Sequence, residues 1–450
     1  MKKVFKIVSL VVLPWLASSS YAMTPLNDTD MADQTGQSLL TLSNIGQNDA
    51  SNPMPGQSIG FYKLAIEGTV ELNANIKKLQ LGCGGTNGAG GCDIDIDNVS
   101  LSGNPALIGT DPNSAVNRAN RAQSDAKLIN PFIQFAIKNP NSASTRQVVG
   151  LNLGAQSILG SLTFGTENSA TPNGINSLSG YLLTAPTVGT ALVNGFGNAT
   201  NGDPARTQLN QSDGYDAITG KACCIFGFPL GFTTTSYNLN LLDKATGSNI
   251  LVGDLTMAQQ VITGSRINSA TLFATATVRD IALTGKLSAN AGGLINLNNK
   301  DTSGTIKNLI VDTTINESLG LFHKADLNGT AAGLSLQSQA IKYPGAVSVA
   351  QKGWWLELSN PIDIGRIDPT LKVDIPQATL NASLGQVSAY LDANPVQCGT
   401  IIAQNCLLGS AIPVGTVDLL QSQHAPLTLT NLQLVNQAFA PNCYGGLKFC

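Results

Sequence analysis

Short segments in which apolar and polar residues alternate are the feature that most limits the fold of this chain. Examples are Ile94-Asp-Ile-Asp97, Thr271–Val278 and Leu371–Ile375. Successive side chains of a β-strand point to opposite faces of a sheet, so this two-residue period predicts strands with one buried face and one solvated face. The fold is therefore expected to be mainly β, a large, antiparallel and partly repetitive sheet or sandwich. A parallel β-helix is the alternative.

Residues 1–22 have the pattern of a secretory signal peptide. Lysines precede the apolar run Ile7–Leu16, and the small residues Ser20 and Ala22 predict cleavage after Ala22. The run is too short to span a bilayer, and no later segment has an apolar run long enough to cross as a helix. These observations predict an exported protein that resides in the periplasm or on the outer surface.

The charge balance limits the kinds of molecule that this chain is expected to bind. Removal of the signal peptide takes away three lysines, which leaves 25 − 3 = 22 basic against 28 acidic residues, a net charge of −6. Only 12% of the residues are charged and 42% are hydrophobic, so the chain can bury a large core. Nucleic acid is not expected as a partner, because phosphate binding needs clustered lysine and arginine.

Composition divides the chain into consecutive regions. A helix and linker segment is predicted over residues 23–58, and a β region with a cysteine loop and long polar connections over 59–235. A repetitive β region follows over 236–396, and a cysteine-rich C-terminal region over 397–450. The alanine spacing within 111–127 also predicts a short surface helix.

Eight cysteines in an exported chain predict structural disulfides rather than a metal site. The short intervals favour local pairing of three pairs, namely Cys83 with Cys92, Cys398 with Cys406, and Cys443 with Cys450. Cys223 and Cys224 are adjacent, and pairing of these two with distant cysteines stays open because a bridge between neighbours is strained.

Asp93, Asp95 and Asp97 form the sharpest cluster of candidate metal ligands. On a strand they would share one face, with neighbouring carboxylates about 6.5 to 7 Å apart. Carboxylate oxygens can bind calcium, although this row would need further oxygens from a loop. A solvated acidic face that discourages edge pairing is the alternative interpretation.

The sequence offers little support for catalysis. His323 and His424 are the only histidines, and neither lies near a recognisable nucleophile motif. We therefore expect a protein that is not an enzyme and needs no cofactor, with calcium as the exception to test. The adjacent Trp354 and Trp355 should face opposite ways on a strand, one in the core and the other covered by a loop or exposed.

Several phrases in the first third of the chain resemble the exported gammaproteobacterial pilus-system proteins called FilA. They are the segment from Leu26-Asn-Asp-Thr-Asp-Met31 to Thr35-Gly-Gln37, Cys92-Asp-Ile-Asp-Ile-Asp-Asn-Val-Ser-Leu-Ser-Gly103, Asn130-Pro-Phe-Ile-Gln-Phe-Ala-Ile-Lys-Asn-Pro140 and Arg146-Gln-Val-Val-Gly-Leu-Asn-Leu-Gly154. The resemblance is clearest over residues 1–165. It identifies no catalytic residue in this chain.

The resemblance implies a structural or binding component of a pilus-like surface filament, whether subunit, tip or accessory protein. Such a component would act by assembly with other pilus-system or surface proteins. The chain lacks the long apolar N-terminal helix of a type IV pilin. Alternatives are a free-standing adhesin that binds a host or surface ligand, and a calcium-dependent β-helix enzyme that acts on polysaccharides.

Overall fold

The computed structural model describes residues 39–166, 171–197, 208–223, 228–369, 371–398, 406, 409 and 411–429, and the backbone alone of 430 and 432–435. The predicted signal peptide and the predicted helix near Leu26–Met31 lie outside the described residues, as do Cys224, Cys443 and Cys450.

The described chain is mainly β, as the alternation predicts. Its first strands are β1 (Leu40–Ile45), β2 (Ile59–Ile66), β3 (Thr69–Leu72), β4 (Ala74–Leu81), β5 (Ile94–Ser102), β6 (Ala126–Lys138), β7 (Gln147–Thr163), β8 (Ile175–Thr184), β9 (Thr187–Asn194), β10 (Leu209–Asn210), β11 (Thr219–Cys223), β12 (Leu230–Asp243), β13 (Ile250–Met257) and β14 (Val261–Ile267). The later strands are β15 (Ser269–Val278), β16 (Ile281–Ala291), β17 (Ile295–Lys307), β18 (Leu309–Ser318), β19 (Lys324–Asn328), β20 (Ala332–Gln337), β21 (Gly353–Ile362), β22 (Arg366–Pro369), β23 (Val373–Asp374), β24 (Val396–Gln397), β25 (Ala411–Asp418), β26 (Ala425–Thr430) and β27 (Leu432–Val435). The α-helices are α1 (Ala115–Ala122) and α2 (Gln377–Ala393), and short 3₁₀ turns lie at Gly85–Asn87, Gln211–Asp213 and Leu319–Leu321.

The largest sheet has 12 strands within the described residues. Its main path is β1-β2-β6-β7-β20-β21-β8-β5-β4, with β3 beside β6, β14 beside β8 and β19 beside β7. The last residues of β7 also pair with β5, so the path from β7 through β20, β21, β8 and β5 returns to β7. β6 and β7 are consecutive strands and form an antiparallel pair.

A 7-stranded sheet and a 6-stranded sheet make up most of the remaining described structure. Their orders are β24-β11-β12-β16-β17-β25, with β10 beside β12, and β23-β9-β13-β15-β18-β26. β22 and β27 form a separate pair. The main ladders are antiparallel, as expected, and the described pairings do not form the parallel β-helix that was the alternative. Parallel pairing joins β21 to β8 and adds β23, β24, β25 and β26 to outer strands.

Strands from different predicted regions share the same sheets. β12 runs across residue 235, and β20 and β21 insert between β7 and β8 of the region 59–235. Composition does not show which regions share a sheet, because residues far apart in the sequence become neighbours only when strands pair.

Helix α2 was not predicted and closes one side of the interface between the two smaller sheets. Its residues Leu380, Leu384, Val387 and Leu391 are buried and recur at helical spacing, so they form one apolar stripe. Leu380, Leu384 and Val387, together with side chains of both sheets, line an apolar cavity of about 100 Å³. The repetitive β region predicted over 236–396 includes this segment, and the change from a two-residue to a 3.6-residue period is the sequence signal that distinguishes the helix.

Helix α1 confirms the predicted short helix and is fixed on the large sheet by a buried arginine. Ser114 caps its N-terminus by accepting a hydrogen bond from the Asn117 N–H group. Arg121 donates to the Ser102 hydroxyl at 2.7 Å and to the Thr163 hydroxyl at 3.1 Å. Burial lowers the pKa of Arg121 to about 10, and it stays charged at neutral pH.

No helix within the described residues combines the length and the apolar character needed to cross a membrane.

Two adjacent substitutions in α2 should change stability in opposite directions. Leu384→Ala should lower the free energy of unfolding by about 2–5 kcal/mol, because it enlarges the apolar cavity beneath the helix. Gly385→Ala should raise it by about 0.5–1 kcal/mol, because Gly385 is exposed and an added Cβ meets nothing within 4 Å. Urea denaturation of the oxidised protein measures both changes, and equal effects would contradict this account of the helix.

Candidate functional site

The predicted aspartate row does not act as one unit. Asp93 is buried, and its carboxylate accepts the Trp354 backbone N–H at 3.0 Å and the Asn87 amide at 3.2 Å. A Cβ at Gly82 or Gly353 would collide with this carboxylate, so both positions suit only glycine. Asp93 therefore holds the first cysteine loop against β21.

Asp95 and Asp97 instead share a lysine. The Lys78 ammonium lies 2.7 Å from an Asp95 oxygen and 2.9 Å from an Asp97 oxygen. The Asn176 amide donates to Asp97 at 2.7 Å and to Asp95 at 3.3 Å. The positive charge beside these carboxylates is thus supplied by the protein itself.

The environment changes the pKa of Asp95 and that of Lys78. Burial raises the pKa of Asp95, but hydrogen bonds from Lys78, Gln80 and Asn176 together outweigh it, so the pKa lies below the usual value. Hydrogen bonds to Asp95 and Asp97 raise the pKa of Lys78. The group is an ion pair at neutral pH.

The three aspartates do not fit a single calcium site as they stand. Asp93 accepts hydrogen bonds from the Trp354 N–H and the Asn87 amide, and Lys78 lies where a cation would neutralise Asp95 and Asp97. Within the described ranges, no group of three or more His, Cys, Asp or Glu side chains is arranged to hold a metal ion. A calcium role for these residues stays a prediction.

The cysteine loop and the C-terminal region each contain a predicted disulfide. Cys83 is bonded to Cys92, and Cys398 to Cys406. Cys223 is disulfide-bonded as well. Cys83–Cys92 and Cys398–Cys406 connect short intervals, as the spacing predicts, and the disulfides fit an oxidising compartment.

The histidines lie in unrelated settings. His323 is buried, its Nδ1 atom lies 2.8 Å from the Phe164 carbonyl oxygen, and burial lowers its pKa. His424 lies 2.8 Å from an Asp312 oxygen at the surface. The structure brings neither histidine to the aspartate row.

Trp354 and Trp355 face opposite ways, as predicted. Trp354 packs against the main core. Trp355 is buried beneath the segment 338–352, and its indole N–H donates to the Ser348 hydroxyl at 3.0 Å.

The feature that the sequence did not reveal is an exposed row of apolar side chains on the large sheet, called here the apolar row. Direct cross-strand pairing places its members side by side on β1, β2, β6, β7, β20 and β21, namely Leu42, Leu64, Ile133, Leu153, Leu334 and Leu356. Phe135 and Leu336 lie in the next row on the same face and are also exposed.

Exposure along the apolar row rises toward the edge of the sheet. Leu334 and Leu356 pack against the main core, whereas Leu153 is 38% exposed and Ile133 is 40% exposed. The fraction reaches 42% at Leu64 and 77% at Leu42. The core layer thus continues outward onto strands that no described element covers on this face, and such patches mark interaction sites.

The row ends on β1, whose outer edge pairs with no other described strand. The Glu67 N–H donates to the Leu39 carbonyl oxygen, which assigns the odd-numbered residues of β1 to the pairing with β2. The backbone groups of Leu42 and Asn44 therefore point outward. An open edge of this kind is a template for a strand of another chain.

The alternation alone does not locate this surface, because a strand has the same sequence pattern whether or not another element covers its apolar face. The one available signal was β6, where Phe132 and Gln134 alternate with Ile133 and Phe135, so that both faces carry large apolar side chains.

Comparison with known proteins adds no relative: no protein-family model, curated protein or solved structure matches the chain.

Loss of the lysine that joins Asp95 and Asp97 should have a pH-dependent effect on stability. A carboxylate with a depressed pKa stabilises the fold above its unfolded pKa of about 3.9 and loses that contribution as the pH falls through its folded pKa. The raised pKa of Lys78 keeps the lysine charged until the pH is alkaline. Lys78→Gln should therefore lower the Tm more at pH 7 than at pH 3.

Lys77→Gln is the matched control, because Lys77 is an exposed neighbour for which the described residues show no ion pair. Thermal melts at both pH values compare the two variants. Equal losses of Tm at pH 7 and pH 3 in Lys78→Gln would contradict the assigned ion pair.

Proposed function

We propose that this chain is an exported component of a pilus-like surface filament that assembles with a partner protein through β1 and the apolar row. The observation that carries the proposal is the apolar row, which becomes more exposed toward an open strand edge. The resemblance to the FilA proteins and the disulfides of the described chain support the same setting.

The partner is expected to contribute a β-strand. A strand added beside β1 would accept and donate hydrogen bonds at Leu42 and Asn44, whose backbone groups point outward. Its alternate side chains would continue the apolar row beyond Leu42. Burial of apolar area contributes about 25 cal/mol per Å², so coverage of the row adds to the backbone pairing.

The opposite face of these strands explains why assembly would use only one side. There the segment 338–352 folds over the sheet, and its residues Ile341, Tyr343 and Ala350 pack on Phe61 and neighbouring side chains. The apolar row has no such cover among the described residues. A partner chain would cover the apolar row in the way that the segment 338–352 covers the opposite face of these strands.

A charged side chain in the apolar row should prevent assembly without unfolding the protein. Leu42→Glu places a carboxylate at a position that is 77% exposed, so the isolated chain should keep its Tm, while recovery with filaments should fall about tenfold because the charge would be buried on assembly. Surface filaments sheared from the native host and probed by immunoblot, beside the periplasmic fraction, measure this.

Leu294→Glu is the control, because Leu294 is 83% exposed on the turn between β16 and β17, which belong to a different sheet from β1. It should assemble as the wild type does. Recovery of Leu42→Glu at the wild-type level, or absence of the wild type from filaments, would contradict the proposal.

Proline at the outward backbone position of β1 should also block assembly. Asn44→Pro removes an outward N–H group and leaves the pairing of Ser43 with Lys63 in place, so the Tm should change by less than about 2 °C while filament recovery is lost. Ser43→Pro removes an inward group and should lower the Tm. The same filament assay and thermal melts distinguish the two, and normal assembly of Asn44→Pro would exclude strand addition at this edge.

A further inference from the structure

A cleft of about 250 Å³ opens on the face of the large sheet opposite the apolar row. It is called here the polar cleft. One cross-strand row forms its floor, and direct pairing places the members of that row side by side on β1, β2, β6, β7, β20 and β21, namely Ser43, Lys63, Gln134, Asn152, Ser335 and Trp355. The cleft is thus built from regular strands, which hold side chains more rigidly than loops.

The segment 338–352 forms one wall of the polar cleft. The Glu357 carboxylate anchors it by accepting the backbone N–H groups of Val347 at 2.7 Å and Ser348 at 3.0 Å. Tyr343 lies over Gly150, where an added Cβ would collide with the phenol oxygen. The wall therefore has a fixed position relative to the floor.

Glycines give the cleft its depth beside an aromatic ring. A Cβ at Gly154 would lie 2.9 Å from the Phe132 ring, and a Cβ at Gly333 would lie 2.9 Å from the Asn152 amide oxygen. The ring and the amide thus occupy space that larger residues would fill. They present one flat apolar surface and one polar group to the same cleft.

A polar side chain of the floor has no hydrogen-bond partner among the described residues. Gln134 is 4% exposed, and its Oε1 atom is buried with no donor in the part of the chain that the structure describes. A buried acceptor without a partner costs about 1–3 kcal/mol. Asn152 and Ser335 beside it are also buried, so three neighbouring polar groups line a space where a ligand with hydroxyl groups could pair with them.

The floor also carries a positive charge that no described carboxylate neutralises. The Lys63 ammonium lies 5.5 Å from the centre of the Phe132 ring and forms no ion pair within the described residues. The nearest acid of the lining, Glu357, already accepts the hydrogen bonds of the wall. The cleft therefore favours a ligand that bears a negative charge.

We propose that the polar cleft binds one acidic monosaccharide residue, a sugar ring that carries a carboxylate. Lys63 would bind the carboxylate, Gln134, Asn152 and Ser335 would bind hydroxyl groups, and the Phe132 ring would pack against the C–H face of the sugar. Ligand pockets for drug-sized molecules begin at about 300 Å³, so this cleft suits a single sugar unit rather than a longer chain. The acidic sugars of cell-surface polysaccharides and glycans have this chemistry.

The proposal is independent of assembly through β1. Neighbouring residues of one strand point to opposite faces, so Gln134 lies in the cleft whereas Ile133 lies in the apolar row. Leu42→Glu changes only the apolar row and Gln134→Leu changes only the polar cleft, so the failure of one proposal does not imply the failure of the other.

The test uses the oxidised mature chain and defined sugars. Saturation-transfer NMR followed by titration compares glucuronate, galacturonate and N-acetylneuraminate with glucose, galactose and acetate. At least one acidic sugar should bind saturably, with a Kd on the order of 1 mM, and more tightly than the neutral sugars or acetate. Binding of no acidic sugar, or equal binding of the neutral sugars or acetate, would overturn the proposal.

Substitutions of cleft residues test whether the acidic sugar binds in the polar cleft. Lys63→Gln should weaken binding of the acidic sugar about fivefold or more, and Gln134→Leu about tenfold. The Tm of Gln134→Leu should stay equal or rise, because an unpaired buried acceptor is removed. Lys77→Gln should bind as the wild type does. Unchanged affinity in both cleft variants would overturn the assignment of the site.

Discussion

Backbone pairing along β7 is the constraint on which the rest of the structure depends. The first half of β7 pairs with β6 and β20, and the second half pairs with β6, β19 and β5. Side chains of the second half, such as Ile158, enter the main core, whereas Leu153 lies in the apolar row and Asn152 in the polar cleft. One strand therefore connects the buried body of the protein to both candidate surfaces.

Those surfaces differ because the same strands are covered on one face and open on the other. The segment 338–352 packs on one face through Tyr343 and is fixed there by Glu357, which leaves a cleft at its margin. The other face continues the aliphatic layer of the core outward to Leu42. A filament component needs a surface that partners can cover, and a surface protein that meets glycans needs a rigid polar recess. Both arrangements follow from the two-residue period of a strand.

Local patterns in the sequence predicted much of the fold and little of the site. The strands around Phe132 and Val148, the helix near Ala119 and two of the short disulfides follow from alternation, helical spacing and cysteine intervals. Helix α2 was missed, although Leu380, Leu384 and Leu391 have helical spacing. The aspartates were expected to share one face, yet Asp93 binds the Trp354 N–H while Asp95 binds Lys78. No local signal encodes those partners.

The sequence by itself determined that this chain is mainly β, is stapled by local disulfides and has the signal-peptide pattern of an exported protein. These properties depend on neighbouring residues, because strand period, cysteine interval and signal pattern are local. Tertiary structure alone decided that Leu42, Leu64 and Ile133 lie outside the core, and that Lys63 and Gln134 meet in a cleft. Both results depend on which strands pair and which segment covers them. The strand pairing and the position of the covering segment are stabilised by contacts between residues far apart in the sequence.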